Sequence, residues 1–197
     1  MYMQERSSQG ITLVPLESKL LSKRKIFLEG EINGGLAMEF IRQLMCLVGE
    51  DPKAPIRILI NSAGGEINSG MLIYDAIQSC KTPLKLYCLG RAYSMAALIF
   101  ASGSPGKRYL FANSELMVHE PLLGNGVSGN STSIQMVSES LLEARDKINK
   151  ILQKHTGRPG AEVEEAVRRG RFFQPQEAIA FGLADHVADF TELALGE

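Results

Sequence analysis

Ser94 follows Gly90-Arg91-Ala92-Tyr93 and precedes Met95-Ala96-Ala97, and His119 lies between Val118 and Glu120-Pro121. A serine where a strand runs into a small-residue helix, with a histidine where a later strand meets a loop, supplies the residue types of a hydroxyl nucleophile and its general base. Such a pair also needs amide donors for a developing oxyanion, and an acid to orient the imidazole. The run Asn61-Ser62-Ala63-Gly64-Gly65 offers the donors: it follows a buried strand and precedes a helix, where backbone amides favour negative charge. If the two strand-helix units stack side by side, the amides of Gly65 and Met95 converge. Plainer readings exist for each part. Strand-to-helix glycines make turns, serine is a common helix N-cap, and a lone strand-end histidine is structural or solvated. The residues around Ser94 do not form G-x-S-x-G, so the α/β-hydrolase elbow is not expected. His155 and His186 lack a comparable setting.

The elements that must position these groups repeat along the chain. Residues 1 to 16 lack periodicity and read as a mobile arm, so the first firm element is a strand at Lys25 to Leu28. Gly34-Gly35 leads into a helix with Leu36, Phe40, Leu44 and Leu47 on one face, stopping near Asp51-Pro52. The unit recurs as the strand Ile56 to Ile60, a turn at Asn61 to Gly65 and a helix Asn68 to Ser79 with Leu72, Ala76 and Ile77 inward. It recurs again as the strand Leu84 to Leu89, running through Gly90 into the helix that carries Ser94, Ala97 and Leu98. Strand, turn and helix in succession imply an α/β fold in a single domain.

Two short strands follow, Arg108 to Phe111 and Leu116 to His119, then a loop over Leu122 to Ser133 too rich in Gly, Asn and Ser to pack. The long helix from Ile134 to His155 spaces Ile134, Val137, Leu141, Ile148 and Leu152 into one apolar stripe, enough to meet another helix or subunit. Helices at Ala161 to Arg169 and Pro175 to Phe181, around a turn at Gly170 to Phe173, lead to a strand at His186-Val187.

Composition narrows the partners. With 21 basic and 22 acidic residues in a chain of 197, no large field exists to hold nucleic acid or an anionic membrane. No apolar run is long enough to span a bilayer and the first residues lack a signal-peptide core, so a soluble cytoplasmic protein is expected. Cys46, Cys80 and Cys88 form no C-x-x-C pair and read as reduced, buried and inert, with no metal site.

Taken in order, several runs resemble the ClpP family, the proteolytic subunits of ATP-dependent Clp proteases. They are Ile60-Asn61-Ser62-Ala63-Gly64-Gly65, Gly70-Met71-Leu72-Ile73-Tyr74-Asp75, Ser94-Met95-Ala96-Ala97, Gly106-Lys107-Arg108, Met117-Val118-His119-Glu120-Pro121, Thr156-Gly157, and Glu177-Ala178 through Gly182-Leu183. The resemblance covers Leu13 to Val187. It implies a crotonase-like fold of repeated strand-turn-helix units with a protruding handle at about 120 to 155, assembled as heptameric rings stacked into a tetradecamer. It implies Ser94 as nucleophile, His119 as base, and the amides of Gly65 and Met95 as the oxyanion hole. It further implies that Leu59, Tyr87, Leu89, Tyr109 and Phe111 dock an AAA+ unfoldase such as ClpX or ClpC. ATP is then used by that partner, with no cofactor in this subunit, and unfolded proteins are the substrates.

The chain departs from the family at four places. The catalytic Asp of an Arg-Asp-Arg-Phe run is replaced in Arg169-Gly170-Arg171-Phe172, leaving Glu120, Glu164 or Glu165 as candidate substitutes. The segment between Leu13-Val14-Pro15 and Ile26 is shorter, Leu122-Leu123-Gly124 stands for a double glycine in a longer loop, and the docking strands carry Arg57 and Ser79. Because Gly170 replaces the acid, a feeble homomer completed by a second ClpP paralogue is expected. The alternatives are a catalytically silent structural subunit of a mixed core, or an acyl-CoA enzyme of the crotonase type.

Overall fold

The computed structural model describes residues 1–7, 10–123 and 128–195. The chain opens with β1 (Tyr2–Ser7) and β2 (Gly10–Pro15), an antiparallel hairpin with Tyr2 opposite Pro15 and Ser7 opposite Gly10, followed by α1 (Leu16–Ser22). The expectation of no regular element before Lys25 is thereby corrected. The strands pair only with each other, and the side chains of β2 are almost all exposed, so no apolar alternation marks them in the sequence.

The frame that carries the candidate site is three parallel strands with their crossover helices: β3 (Lys25–Ile32), α2 (Gly34–Glu50), β4 (Ile56–Gly65), α3 (Ile67–Ser79) and β5 (Leu84–Tyr93), the last running into α4 (Met95–Ala101). Two-residue periodicity assigns the faces. Ile26, Leu28, Ile58, Ile60, Leu86 and Cys88 are fully buried in the main core with α2, α3 and α4, while Phe27, Leu59 and Tyr87 point to the other side. The residues Asn61 to Gly65, expected as a turn, extend β4: Gly64 and Gly65 pair with Glu31 and Ile32 beyond a bulge. In α3 the apolar core residues are Met71, Ile73, Tyr74 and Ile77, with Ala76 packed against the core, whereas Leu72, expected inward, falls on the outer side of the helix and is exposed.

β5 is a fork. Leu86 to Cys88 pair with β6 (Arg108–Leu110), whereas Arg91 to Tyr93 pair with β7 (Glu115–Val118). Beyond β7 the chain passes residues 124–127, the middle of the predicted glycine-rich loop, which lie outside the described residues. It resumes to enter α5 (Ser131–Thr156), where Asn130 accepts from Ser133 N. Then follow α6 (Gly160–Arg168), β8 (Arg171–Phe173), α7 (Pro175–Phe181), β9 (His186–Val187) and α8 (Phe190–Leu195). The expected turn at 170–173 is thus partly a strand, antiparallel to β7.

The stripe on α5 divides in two. Ile148 and Leu152 join the core, while Ile134 is 48% exposed and Val137 and Leu141 are half-buried. The outer end of the helix therefore keeps apolar surface that the described residues do not cover. Where α4, α5 and α7 end, Arg108 ties them together. Its guanidinium donates to both carboxylate oxygens of Asp185 (2.9 and 2.6 Å) and to the carbonyls of Ala101, His155 and Gly182. Burial opposes ionisation of Asp185, but these bonds and the Arg108 charge outweigh it and hold its carboxyl below the ordinary value. Among the described residues no helix is long and apolar enough to cross a membrane. Of the cysteines, Cys88 is buried and its thiol is pushed up to about 12, first by burial, whereas Cys46, expected inside, is exposed on α2.

Candidate active site

Two parallel strand ends bring the chemistry together. Tyr93 of β5 pairs with Met117 of β7, and the amide of Ser94 continues that ladder by donating to the Met117 carbonyl at 2.7 Å. Ser94 and His119 therefore leave adjacent strands at the same level. With Gly65, Met95, Ile67, Leu98, Ile148 and Leu152 they line one cavity of about 120 Å³.

Ser94 holds φ 55, ψ −122 at the start of α4 and makes no side-chain cap. The plain reading of an N-cap serine is thereby excluded. A non-glycine residue at positive φ costs about 1–3 kcal/mol and is kept only where its surroundings fix it. The sequence around Ser94 lacks G-x-S-x-G, yet the serine still sits on a strained strand-to-helix turn. The glycine instead stands on the neighbouring junction. A Cβ at Gly64 (φ +96) would come within 2.7 Å of Ser94 Cβ and 3.1 Å of Met95 N, so only glycine lets β4 pass so close to the turn. Gly65 (φ +153) is equally constrained, its missing Cβ falling 2.1 Å from the Ile32 carbonyl oxygen. Met95 is the first residue of α4, where an amide has no acceptor within the helix, and its own side chain is buried.

His119 follows β7 directly. Among the described residues neither its imidazole nor the Ser94 hydroxyl takes part in a hydrogen bond. Val118 pairs with Arg171 across β7 and β8, so the next antiparallel pair sets His119 opposite Gly170. A Cβ there would stand 3.9 Å from His119 Cβ, with Gly170 at φ +63. The residue facing the imidazole thus carries no side chain. The three candidate acids are directed elsewhere: Glu120 pairs with Arg145 at 3.8 Å, Glu165 binds Arg168 at 2.7 Å and also Arg169, and Glu164 is exposed on α6. Arg171 stacks over Phe173, its guanidinium carbon 4.6 Å from the ring centroid.

Some of the site was not foreseen. Ile148 and Leu152 were read as part of a helix stripe, and only the fold turns them into the cavity wall. Behind the turn, the Tyr93 hydroxyl donates to Glu115 at 2.6 Å and the Gln174 amide donates to the other Glu115 oxygen at 2.8 Å, joining β5, β7 and α7. No local pattern announces that network, since its members lie far apart in the chain. On the opposite face of the sheet, Leu59 and Tyr87 are 4% exposed, and Leu89, Tyr109 and Phe111 are half-buried around them. These five, expected as the unfoldase dock, share a cluster with Leu193 of α8, a helix the sequence pattern did not announce although Asp189 is a good N-cap for it.

A model of the Clp protease family matches residues 8–191. The chain belongs to the Clp protease family. Its parallel sheet with flanking helices is the fold expected from the resemblance, and Clp proteases are serine peptidases, hydrolases of the peptide bond.

Proposed function

We propose that the chain is a serine endopeptidase subunit of an ATP-dependent Clp protease, acting on unfolded chains delivered by an AAA+ unfoldase. The observation that carries this reading is the strained turn at Ser94, with the Met95 amide, Gly65 and His119 on one small cavity. His119 takes the Ser94 hydroxyl proton as the oxygen attacks the peptide carbonyl. The amides of Gly65 and Met95 receive the oxyanion, and the proton passes to the leaving amine. Water then hydrolyses the acyl-serine by the same route in reverse. Ile67, Leu98, Ile148 and Leu152 favour an apolar side chain beside the scissile bond. The exposed outer end of α5 supports its assignment to ring-to-ring contact in a stacked heptameric assembly.

The glycine opposite His119 supports a second reading, in which this subunit is weak or silent alone and a complete paralogue supplies activity in a mixed core. Loss of the orienting acid has cost about 10⁴-fold in other serine proteases. Gly170→Asp tests both readings, because aspartate tolerates a left-handed backbone at modest cost. The expected result is a rise of about tenfold or more in kcat/KM on a short apolar peptide, with no rise for Gly170→Asn. Equal activity in the two variants would remove Gly170 as the acid position. A fluorophosphonate probe that fails to label Ser94 even in Gly170→Asp would leave the structural role.

A further inference from the structure

The strands that carry Ser94, His119 and Gly170 present one face laid out in rows. Glu115, Met117 and His119 alternate with the buried Leu116 and Val118, so the three share a face of the sheet. Arg91 and Tyr93 of β5 lie on that face as well, because Arg91 pairs with Glu115 and Tyr93 with Met117. Across β8, Phe172 pairs with Met117, and one step further each way sets Gln174 opposite Glu115 and Gly170 opposite His119. Glu115 with Gln174 makes the lowest row, Tyr93, Met117 and Phe172 the next, and His119 with Gly170 the uppermost.

The lowest row ties the three strands together. One Glu115 oxygen accepts from the Tyr93 hydroxyl at 2.6 Å, a length typical of a charge-assisted bond, and the other accepts from the Gln174 side-chain amide at 2.8 Å. Both donors are themselves held. The Tyr93 ring meets Phe172 at 84° with centroids 5.7 Å apart, and the Arg91 guanidinium carbon lies 5.8 Å from its centroid. Gln174 caps α7, its backbone amide donating to Glu177 at 3.0 Å. The bond to Glu115 is the first cause that raises the Tyr93 phenol above its ordinary value, which keeps it a donor. Tyr93 is the last residue of β5, directly before Ser94, and Gln174 follows β8, whose other end is preceded by Gly170. With glycine at 170, no side chain there reaches the imidazole; Glu115 links the same three strands from two rows below.

We propose that Glu115 is a positioning residue for the Ser94–His119 pair. By gripping Tyr93 and Gln174 at once, its carboxylate fixes the spacing of β5, β7 and β8 at the level where the reacting groups leave them. Glu115 itself lies outside the cavity and meets neither substrate nor the reacting atoms. The inference rests on the peptidase reading above, in which a displacement of about 1 Å between reacting groups costs on the order of 10²-fold.

The test compares Glu115→Ala, Tyr93→Phe and the exchanged pair Glu115→Gln with Gln174→Glu, each in the full chain. Turnover of a short apolar peptide and amide hydrogen exchange resolved to Ser94, whose amide donates to the Met117 carbonyl, are the readouts. Glu115→Ala is expected to lower kcat about tenfold with KM within about twofold, and to speed Ser94 exchange about tenfold as the ladder loosens. Tyr93→Phe keeps the ring contacts and loses only the hydroxyl, so it serves even where Glu115→Ala folds poorly; a fall of about threefold in kcat is expected. Gln174→Glu alone sets two carboxylates face to face and lowers kcat at least as far as Glu115→Ala. In the exchanged pair the new amide accepts from Tyr93 and donates to the new carboxylate, so kcat and Ser94 exchange return to within about twofold of the parent. Unchanged kcat and Ser94 exchange in both Glu115→Ala and Tyr93→Phe would overturn the proposal, as would a loss carried by KM alone or one that the exchanged pair fails to recover. The exchange readout needs no activity. A parent chain that neither cleaves peptide nor takes a fluorophosphonate at Ser94 would sink the peptidase reading, and the clamp would then stand or fall on Ser94 exchange.

Discussion

Two non-glycine residues among those described hold a positive φ, Arg24 at 59° and Ser94 at 55°, and they are supported in opposite ways. Arg24 sits between α1 and β3, and its own side chain repairs the cost. The guanidinium donates to the carbonyls of Leu47, Asp51, Ala54 and Pro55, closing the end of α2 and the entry to β4. Among the described residues the Ser94 side chain donates to nothing; its backbone is held by neighbours. Its amide binds Met117, Gly64 of β4 presses against the turn, and Arg108 grips the far end of α4 through the Ala101 carbonyl. Strain at Arg24 is offset locally and serves the fold. Strain at Ser94 is imposed from outside, which leaves the hydroxyl unbonded and turned to the cavity.

Substitutions test this contrast. The largest expected effect is Ser94→Ala, which removes the proposed nucleophile and is expected to lower peptidase activity about 10³-fold or more with little change in stability. Measurable turnover near the parent rate would separate the strained turn from catalysis. Arg24→Ala should cost about 2–3 kcal/mol in urea unfolding, since several carbonyls lose a charged donor. Its peptidase activity below the transition should stay near the parent level. Replacement by glycine sharpens the comparison further. Ser94→Gly relieves the backbone and is expected to stabilise by about 1 kcal/mol, while Arg24→Gly relieves it equally yet still destabilises through the lost bonds. The same sign of change at both positions would break the comparison.

Acid separates the two clamps in a different way. The Arg24 clamp uses only backbone carbonyls, which do not titrate. The Arg108 clamp includes the carbonyl of His155, whose imidazole lies 3.2 Å from the Tyr74 hydroxyl and is held at about 4, against an ordinary 6.5, first by burial and then by the charges of Lys154 and Arg108. The unfolded chain takes up this proton as pH falls below about 6.5, while the folded chain does so only near 4. The His155 contribution to stability should therefore decline across that window and level off below it, while the Asp185 contribution is lost at still lower pH. In His155→Gln the slope should flatten, with urea midpoints at several pH values as the readout.

What was legible beforehand follows the range of the interactions. The repeating units were readable because an apolar strand and a 3.6-residue helix each declare themselves within a few turns. Ser94, His119, Gly65 and Met95 were named from their junctions, and the fold brings all four to one cavity. The hairpin was missed because its strands cover nothing. In α8 six residues are too few for a period to show, and its apolar partners Leu59 and Tyr87 lie more than a hundred residues away.

The sequence by itself determined the strand-helix rhythm and the family, and singled out Ser94, His119 and Gly170 as the positions on which the proposed chemistry turns, because each is a matter of residue type and local order. Only the tertiary structure decided that Ser94 is strained instead of capping, that Gly170 faces His119, and that the C-terminal helix lies across the outer aromatic face. Each of these depends on which distant segments meet. Chain order leaves that open until the core, the two glycines of β4 and the fork in β5 fix the distances between strands.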